Sequence, residues 1–70
     1  VIKSLQNKIK EYRQKLGLTQ EDLASKVYIS RQTIISLEND RYNPSIFLAH
    51  KIAKIFGVTI EKVFIFEEDN

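Results

Sequence analysis

Arg31, Gln32 and Ser36 are the residues of this chain best suited to specific hydrogen-bond chemistry. An arginine can bond guanine through two hydrogens, a glutamine can bond adenine the same way, and a serine serves several bases. Ile35 beside them offers an apolar contact of the kind a thymine methyl accepts. Thr33 stands at the edge of the same surface. These groups act together only if they share a face. At 100° per residue, Gln32, Ser36 and Asn39 fall on one side of a helix with Ile35 at its edge. Ile34 and Leu37 point the other way. Arg31, in the first turn, is free to reach outward. Taken alone, this pattern also describes an ordinary solvated helix face.

Other chemistries find little support. The chain has 70 residues and 8.2 kDa, enough for one domain, expected over residues 1–70. It has no cysteine and one histidine, His50, read as a surface residue. Neither a disulfide, a thiolate zinc site nor a histidine-rich metal site can be built from that set. Two glycines, Gly17 and Gly57, cannot supply a phosphate-cradling loop, and no nucleophile stands beside a base. No enzyme activity, cofactor, metal or small-molecule ligand is expected. The longest purely apolar run, Val63 to Phe66, is far too short for a membrane span, and no signal peptide is visible. A cytoplasmic location is the expectation. Residues 1–54 carry a net charge of +5 and residues 55–70 a net charge of −3. A basic body with an acidic end keeps nucleic acid open as a partner.

The elements that must position this chemistry are short helices. The first is expected from about Leu5 to Leu16, with Ile9, Tyr12, Arg13 and Leu16 on one face and Gly17 ending it. Thr19 opens the second with Asp22 in the acidic place of a capping box, and Leu23, Ala24 and Val27 form its apolar face. A break at Tyr28-Ile29-Ser30 follows. Ser30 caps the third helix, and Ile29 and Ile34 stand at the spacing of a hydrophobic staple. That helix ends near Glu38 or Asn39, before a turn through Pro44. Ser45 caps an apolar fourth helix, which ends at Phe56 with Gly57 beyond it. Thr59 caps a short fifth helix to about Phe64. The β-prone ends, Val1-Ile2 and Ile65-Phe66, can pair as a small antiparallel ribbon. The fold class is therefore all-α, five helices with that ribbon.

Two short helices joined by so tight a break form a helix-turn-helix, here about residues 19–39. The run from Gly17 to Ala24, then Val27, Ile29 to Ile34, Leu37-Glu38-Asn39 and Asn43-Pro44-Ser45 resembles the phage lambda-repressor-like helix-turn-helix family. The likeness continues through Ala49, Lys51-Ile52-Ala53, Phe56-Gly57-Val58 and Val63-Phe64, and covers about residues 7–66. It is nearest the small dimeric bacterial repressors, including those of the cytolysin-repressor type. The resemblance implies that Arg31, Gln32 and Ser36 face bases of double-stranded DNA, with Thr33 and Ile35 at the edge. It places Gln20, Ser30, Asn39, Arg41 and Tyr42 against the phosphate backbone. Lys8 and Lys26 would add long-range attraction or serve only as solvated surface charges. Tyr28 departs from the family pattern, where glycine is common at the turn.

Arg13 and Glu38 each lie on the apolar stripe of their helix, so each inward charge needs a partner. The economical inference is that they pair with each other, and the resemblance supports it. Ile60, Val63, Phe64 and Phe66 are more apolar surface than one small core absorbs, which points to a dimerisation end at about 58–67. Closing the monomer core is the alternative use for them. Phe47 is a candidate for the same contact. Glu67, Glu68 and Asp69 read as a solubilising tail. The function expected is a sequence-specific regulator, a repressor binding a palindromic operator as a homodimer. With no effector domain after residue 70, any switch is expected to act through another protein, the dimer equilibrium or temperature. An antitoxin of the same fold, or an interaction module that no longer binds DNA, are the alternatives.

Overall fold

The computed structural model describes residues 2–68, and side chains over residues 6–66. The order is β1 (Ile2–Asn7), α1 (Ile9–Lys15), α2 (Gln20–Val27), α3 (Arg31–Glu38), α4 (Ile46–Phe56), α5 (Ile60–Val63) and β2 (Phe64–Glu68). The core is one cluster. Ile9, Leu23, Val27, Ile34, Leu37, Ile52 and Val63 are fully enclosed, joined by Ala24, Leu48, Ala49, Ala53 and Phe64. Alanines on α2 and α4 let neighbouring helices approach closely, and α4 supplies four core residues. Tyr12 of α1 stacks on Phe56 of α4, ring centroids 5.4 Å apart.

Three helices open with a hydroxyl cap. Thr19 accepts from the Asp22 N–H, and the Asp22 carboxylate accepts from the Thr19 N–H, a full capping box. Ser30 accepts from the Thr33 N–H and Ser45 from the Leu48 N–H. Thr59 precedes α5 but makes no side-chain cap.

Four helices end the same way. A left-handed residue donates its N–H to the carbonyl three back, and its successor donates to the carbonyl five back. Gly17 and Leu18 do this after α1, Tyr28 and Ile29 after α2, Asp40 and Arg41 after α3, and Gly57 and Val58 after α4. Glycine meets the positive φ freely after α1 and α4. The two turns that flank α3 use Tyr28 (φ 59°) and Asp40 (φ 58°) instead. Tyr28 is 88% exposed, so its ring recovers little burial in return.

The ribbon forms and is longer than the sequence implied. β1 and β2 pair antiparallel, from Ile2 opposite Glu68 to Asn7 opposite Phe64. Val1 lies outside the described residues. The first helix is correspondingly shorter than expected. Residues 5–7 take the hydrogen bonds of a distant strand, so α1 starts only at Ile9. Leu16 is also corrected. It follows the last helical residue and is 53% exposed rather than packed.

Arg13 and Glu38 meet. The Arg13 Nε donates to Glu38 Oε2 at 2.8 Å and Nη2 donates to Oε1 at 3.3 Å, the side chains being 11% and 5% exposed. The Arg13 Nη1 donates to the Leu18 carbonyl at 2.9 Å. Replacing Arg13 with alanine should cost about 3–5 kcal/mol by stranding a buried carboxylate. Arg13→Met with Glu38→Leu should recover most of that loss, as read by urea denaturation. Tyr28→Gly should raise the thermal midpoint by roughly 4–8 °C, since relief of about 1 kcal/mol of left-handed strain is expected. A lowered midpoint would mean that the ring contributes contact stability here.

Candidate nucleic-acid interface

Hydrophobic pinning orients α3. Ile34 and Leu37 are fully buried, and Ile29, just before the helix, packs on the same core. Rotation about the helix axis is thereby set, and the opposite side must face outward. Arg31 and Gln32 are exposed, while Thr33, Ile35 and Ser36 are half-buried. Asn39 caps the C-terminal end and is exposed.

The exposed side of α3 stands between two open hollows. Gln32, Thr33 and Ser36 line one, together with Arg41, Tyr42 and Asn43 of the following loop. Arg31 lines the other, with Lys10 and Arg13 of α1, the loop through Thr19, and Gln20 and Glu21. Gln32, Thr33 and Ser36 thus open onto one hollow beside Arg41, and Arg31 onto the other beside Lys10. A ridge of one helix with a hollow on either side is the shape that a major groove and its two phosphate walls accept.

Several side chains do more than the sequence implied. Gln20 Nε2 donates to Glu38 Oε1 at 3.2 Å, so this residue also braces the buried ion pair. That leaves its carbonyl oxygen and second amide hydrogen for other partners. Ser30 Oγ accepts the Thr33 N–H, and the two hydroxyl oxygens lie 2.9 Å apart. One of their two hydroxyl hydrogens is used in that contact and the other stays available to a phosphate. Arg41 and Tyr42 are exposed on the loop after α3. Their path is set by the Arg41 N–H bond to the Ser36 carbonyl at 2.9 Å.

Asn7 was missed at the level of sequence. Its side-chain amide donates to the Leu37 carbonyl and, at 2.7 Å, to Asp40 Oδ1, while its own oxygen accepts the Ile9 N–H at 3.1 Å. Its one local bond, to Ile9, is of a common kind, and the two that set it apart reach 30 and 33 positions away.

The C-terminal apolar set divides. Val63 is fully buried and Phe64 is 3% exposed, so both close the monomer core and Val63 has no surface to offer a partner. That corrects the expectation for Val63, and largely for Phe64. The short α5 turns them inward against α4. Phe66 is 48% exposed and Ile60 half-buried. They share an apolar hollow with Pro44, Ile46, Ala49 and the edge of Phe64. Phe47, on the same helix end as Ile46, is 77% exposed. The side chains of Glu67, Glu68 and Asp69 lie outside the described set.

His50 is exposed on α4. Among the described residues no group of three or more histidines, cysteines or acids could hold a metal ion. No described helix is long and apolar enough to cross a membrane.

This arrangement defines a helix-turn-helix protein, two short helices at a tight left-handed turn with the second turned outward. A family model described as Helix-turn-helix matches residues 9–63, and the chain belongs to that family, of the lambda-repressor-like Cro/CI type. It is 58% identical over 65 residues to an uncharacterized HTH-type transcriptional regulator of Methanocaldococcus jannaschii, covering 93% of this chain and 98% of that one. It is 36% identical over 56 residues to the immunity repressor protein of Bacillus phage phi105, covering 80% of this chain and 39% of that one. The crystal structure of SinR, a master regulator for biofilm formation, in complex with DNA superposes with a TM-score of 0.69. Identity is 30%, over 76% of this chain and 86% of that one. The family and these relatives are transcriptional regulators, not enzymes.

The electrostatics of the cap give a pH signature. The hydrogen bond from the Thr19 N–H, then that with its side chain, hold the Asp22 carboxyl below its ordinary value of 3.8. A depressed carboxyl binds fewer protons folded than unfolded, so its contribution is complete above that value and fades as pH falls through the lower folded one. Asp22→Asn should therefore flatten the fall of the urea midpoint between about pH 5 and 2 relative to wild type. Parallel curves for the two proteins would sever the cap from the acid limb.

Proposed function

We propose that this chain is a sequence-specific DNA-binding repressor, a single domain that acts as a homodimer on a palindromic operator in the cytoplasm. The observation that carries the proposal is the α3 ridge. Gln32 and Ser36 line one hollow with Arg41 and Tyr42, and Arg31 lines the next with Lys10 and Gln20. In this reading α3 enters the major groove. Arg31, Gln32 and Ser36 then meet base edges, with Thr33 and Ile35 at the margin. Gln20, Ser30, Asn39, Arg41 and Tyr42 hold the two phosphate strands. The SinR complex with DNA supports DNA binding, and the phage immunity repressor supports a repressor role.

Twofold pairing is the second part. Ile46 and Phe66 are large exposed apolar groups that line one hollow with Ile60, and Phe47 is exposed at the position after Ile46. Burial of this patch against a second copy removes apolar surface from water on both sides. Symmetry then sets two recognition helices about 34 Å apart, one turn of the duplex.

Selection from a randomised duplex pool at near-physiological salt tests both parts. An enriched inverted repeat is expected. A single half-site would keep DNA reading and reject the dimer, and no enrichment by folded protein would favour a module that binds other proteins. On the selected site, Arg31→Ala or Gln32→Ala should cost about 1–3 kcal/mol and relax preference at one base pair. Arg41→Ala should weaken all sequences alike and reduce the salt slope by about one per half-site. Equal losses for Arg31→Ala on selected and random DNA would remove it from base reading.

A further inference from the structure

We infer that Asn7 is a positioning residue for DNA reading, joining the terminal ribbon to the exit of the recognition helix. The inference deepens the DNA-binding reading above and rests on it. Asn7 is the last residue of β1, opposite Phe64 at the start of β2, and it precedes α1. Its side chain is half-buried and serves three partners with complementary polarity. One amide hydrogen meets the Leu37 carbonyl in the last turn of α3, and the other meets the Asp40 carboxylate. The oxygen accepts the Ile9 N–H at the first turn of α1. A flipped amide would set oxygen against the carbonyl and carboxylate and nitrogen against an N–H, so one orientation satisfies all three.

The location gives this bracket its consequence. Asp40 holds the left-handed turn that ends α3, at φ 58° without the freedom of glycine. The next two residues are Arg41 and Tyr42, which wall the hollow beside Gln32 and Ser36. Whatever fixes Asp40 therefore fixes where those two side chains stand. The bond also draws the Asp40 carboxylate toward β1. An acid left loose beside Arg41 would compete for its guanidinium and repel phosphate. Asn7 thus ties the chain termini, where the ribbon forms, to the groups that face the backbone of the duplex.

Asn7→Ala tests the assignment in two arms. Without DNA, the Arg41 amide, which bonds the Ser36 carbonyl, should exchange hydrogen about tenfold faster, beyond any global change read at Ile52. With the selected operator, at a temperature where the variant is folded, affinity should fall about tenfold and the salt slope by about one per half-site. Asn7→Asp should be worse, by setting two carboxylates face to face. Asn7→Asp with Asp40→Asn keeps that charge, restores a donor–acceptor pair, and should recover part of the loss. Unchanged Arg41 exchange in folded Asn7→Ala would overturn the proposal. Faster exchange with unaltered operator affinity and slope would overturn it too, leaving Asn7 a structural cap. If Asn7→Ala does not fold, Asn7→Ser, whose hydroxyl can still accept the Ile9 N–H but cannot bond both Leu37 and Asp40, gives the same two readouts. Wild-type values for both would again overturn it. A wild type that selects no operator defeats the DNA-reading assignment, whereas the exchange arm is read without DNA.

Discussion

The buried pair of Arg13 and Glu38 is the constraint on which the rest of the structure depends. Glu38 accepts two hydrogen bonds from Arg13 and one from Gln20, and Arg13 spends its remaining branch on the Leu18 carbonyl. One carboxylate therefore connects α1, the loop after it, the start of α2 and the end of α3. Apolar contacts would hold these elements together equally well but would specify their mutual orientation less sharply, because dispersion has no direction. The pair is mostly buried, and among the described residues every buried side-chain nitrogen and oxygen has a partner. A charge network that is fully satisfied is compatible with a small core. A half-satisfied one would not be.

The outward side of α3 follows from this inward anchoring. Ile34, Leu37 and Glu38 are held from beneath, which leaves Arg31, Gln32 and Ser36 no other place than the surface. Both ends of the helix are then closed by turns in which a residue other than glycine adopts a left-handed conformation. Such strain persists only where the surroundings over-determine it. Around Asp40 the surroundings include Asn7. Around Tyr28 they are the two backbone hydrogen bonds of the turn and Lys51, whose ammonium lies 6.0 Å from the ring centroid.

The ribbon and α5 complete the domain from the opposite end. Val63 and Phe64 enter the core and bring the chain back beside its own beginning, where the Lys8 N–H bonds the Val63 carbonyl at 2.7 Å. At this end Ile46, Phe47 and Phe66 stay exposed, and Ile60 is half-buried. Among the described residues, the polar hollows beside α3 and the apolar hollow at Ile46 and Phe66 are built from different residues.

Much of this was legible from the residues themselves. Helix starts at Thr19, Ser30 and Ser45, and helix ends at Gly17 and Gly57, follow rules that act within four or five positions, so the sequence displays them directly. The outward side of α3 was legible for the same reason, since the helical period sorts Ile34 and Leu37 from Gln32 and Ser36. Even the long-range pair of Arg13 and Glu38 could be inferred, because a charge on an apolar stripe demands a partner and the candidates were few. Other features belong to the tertiary structure alone. Residues 5–7 look as helical as strand-like by themselves, and only the return of β2 from the far end of the chain makes them a strand. Val63 and Phe64 are as apolar as Phe66, and which of them is enclosed depends on how α5 packs on α4. Asn7 is an ordinary polar residue until the fold brings Leu37 and Asp40 to it. Local rules read the hydrogen bonds a segment makes with itself. Those a segment makes with distant partners exist only once the chain has closed.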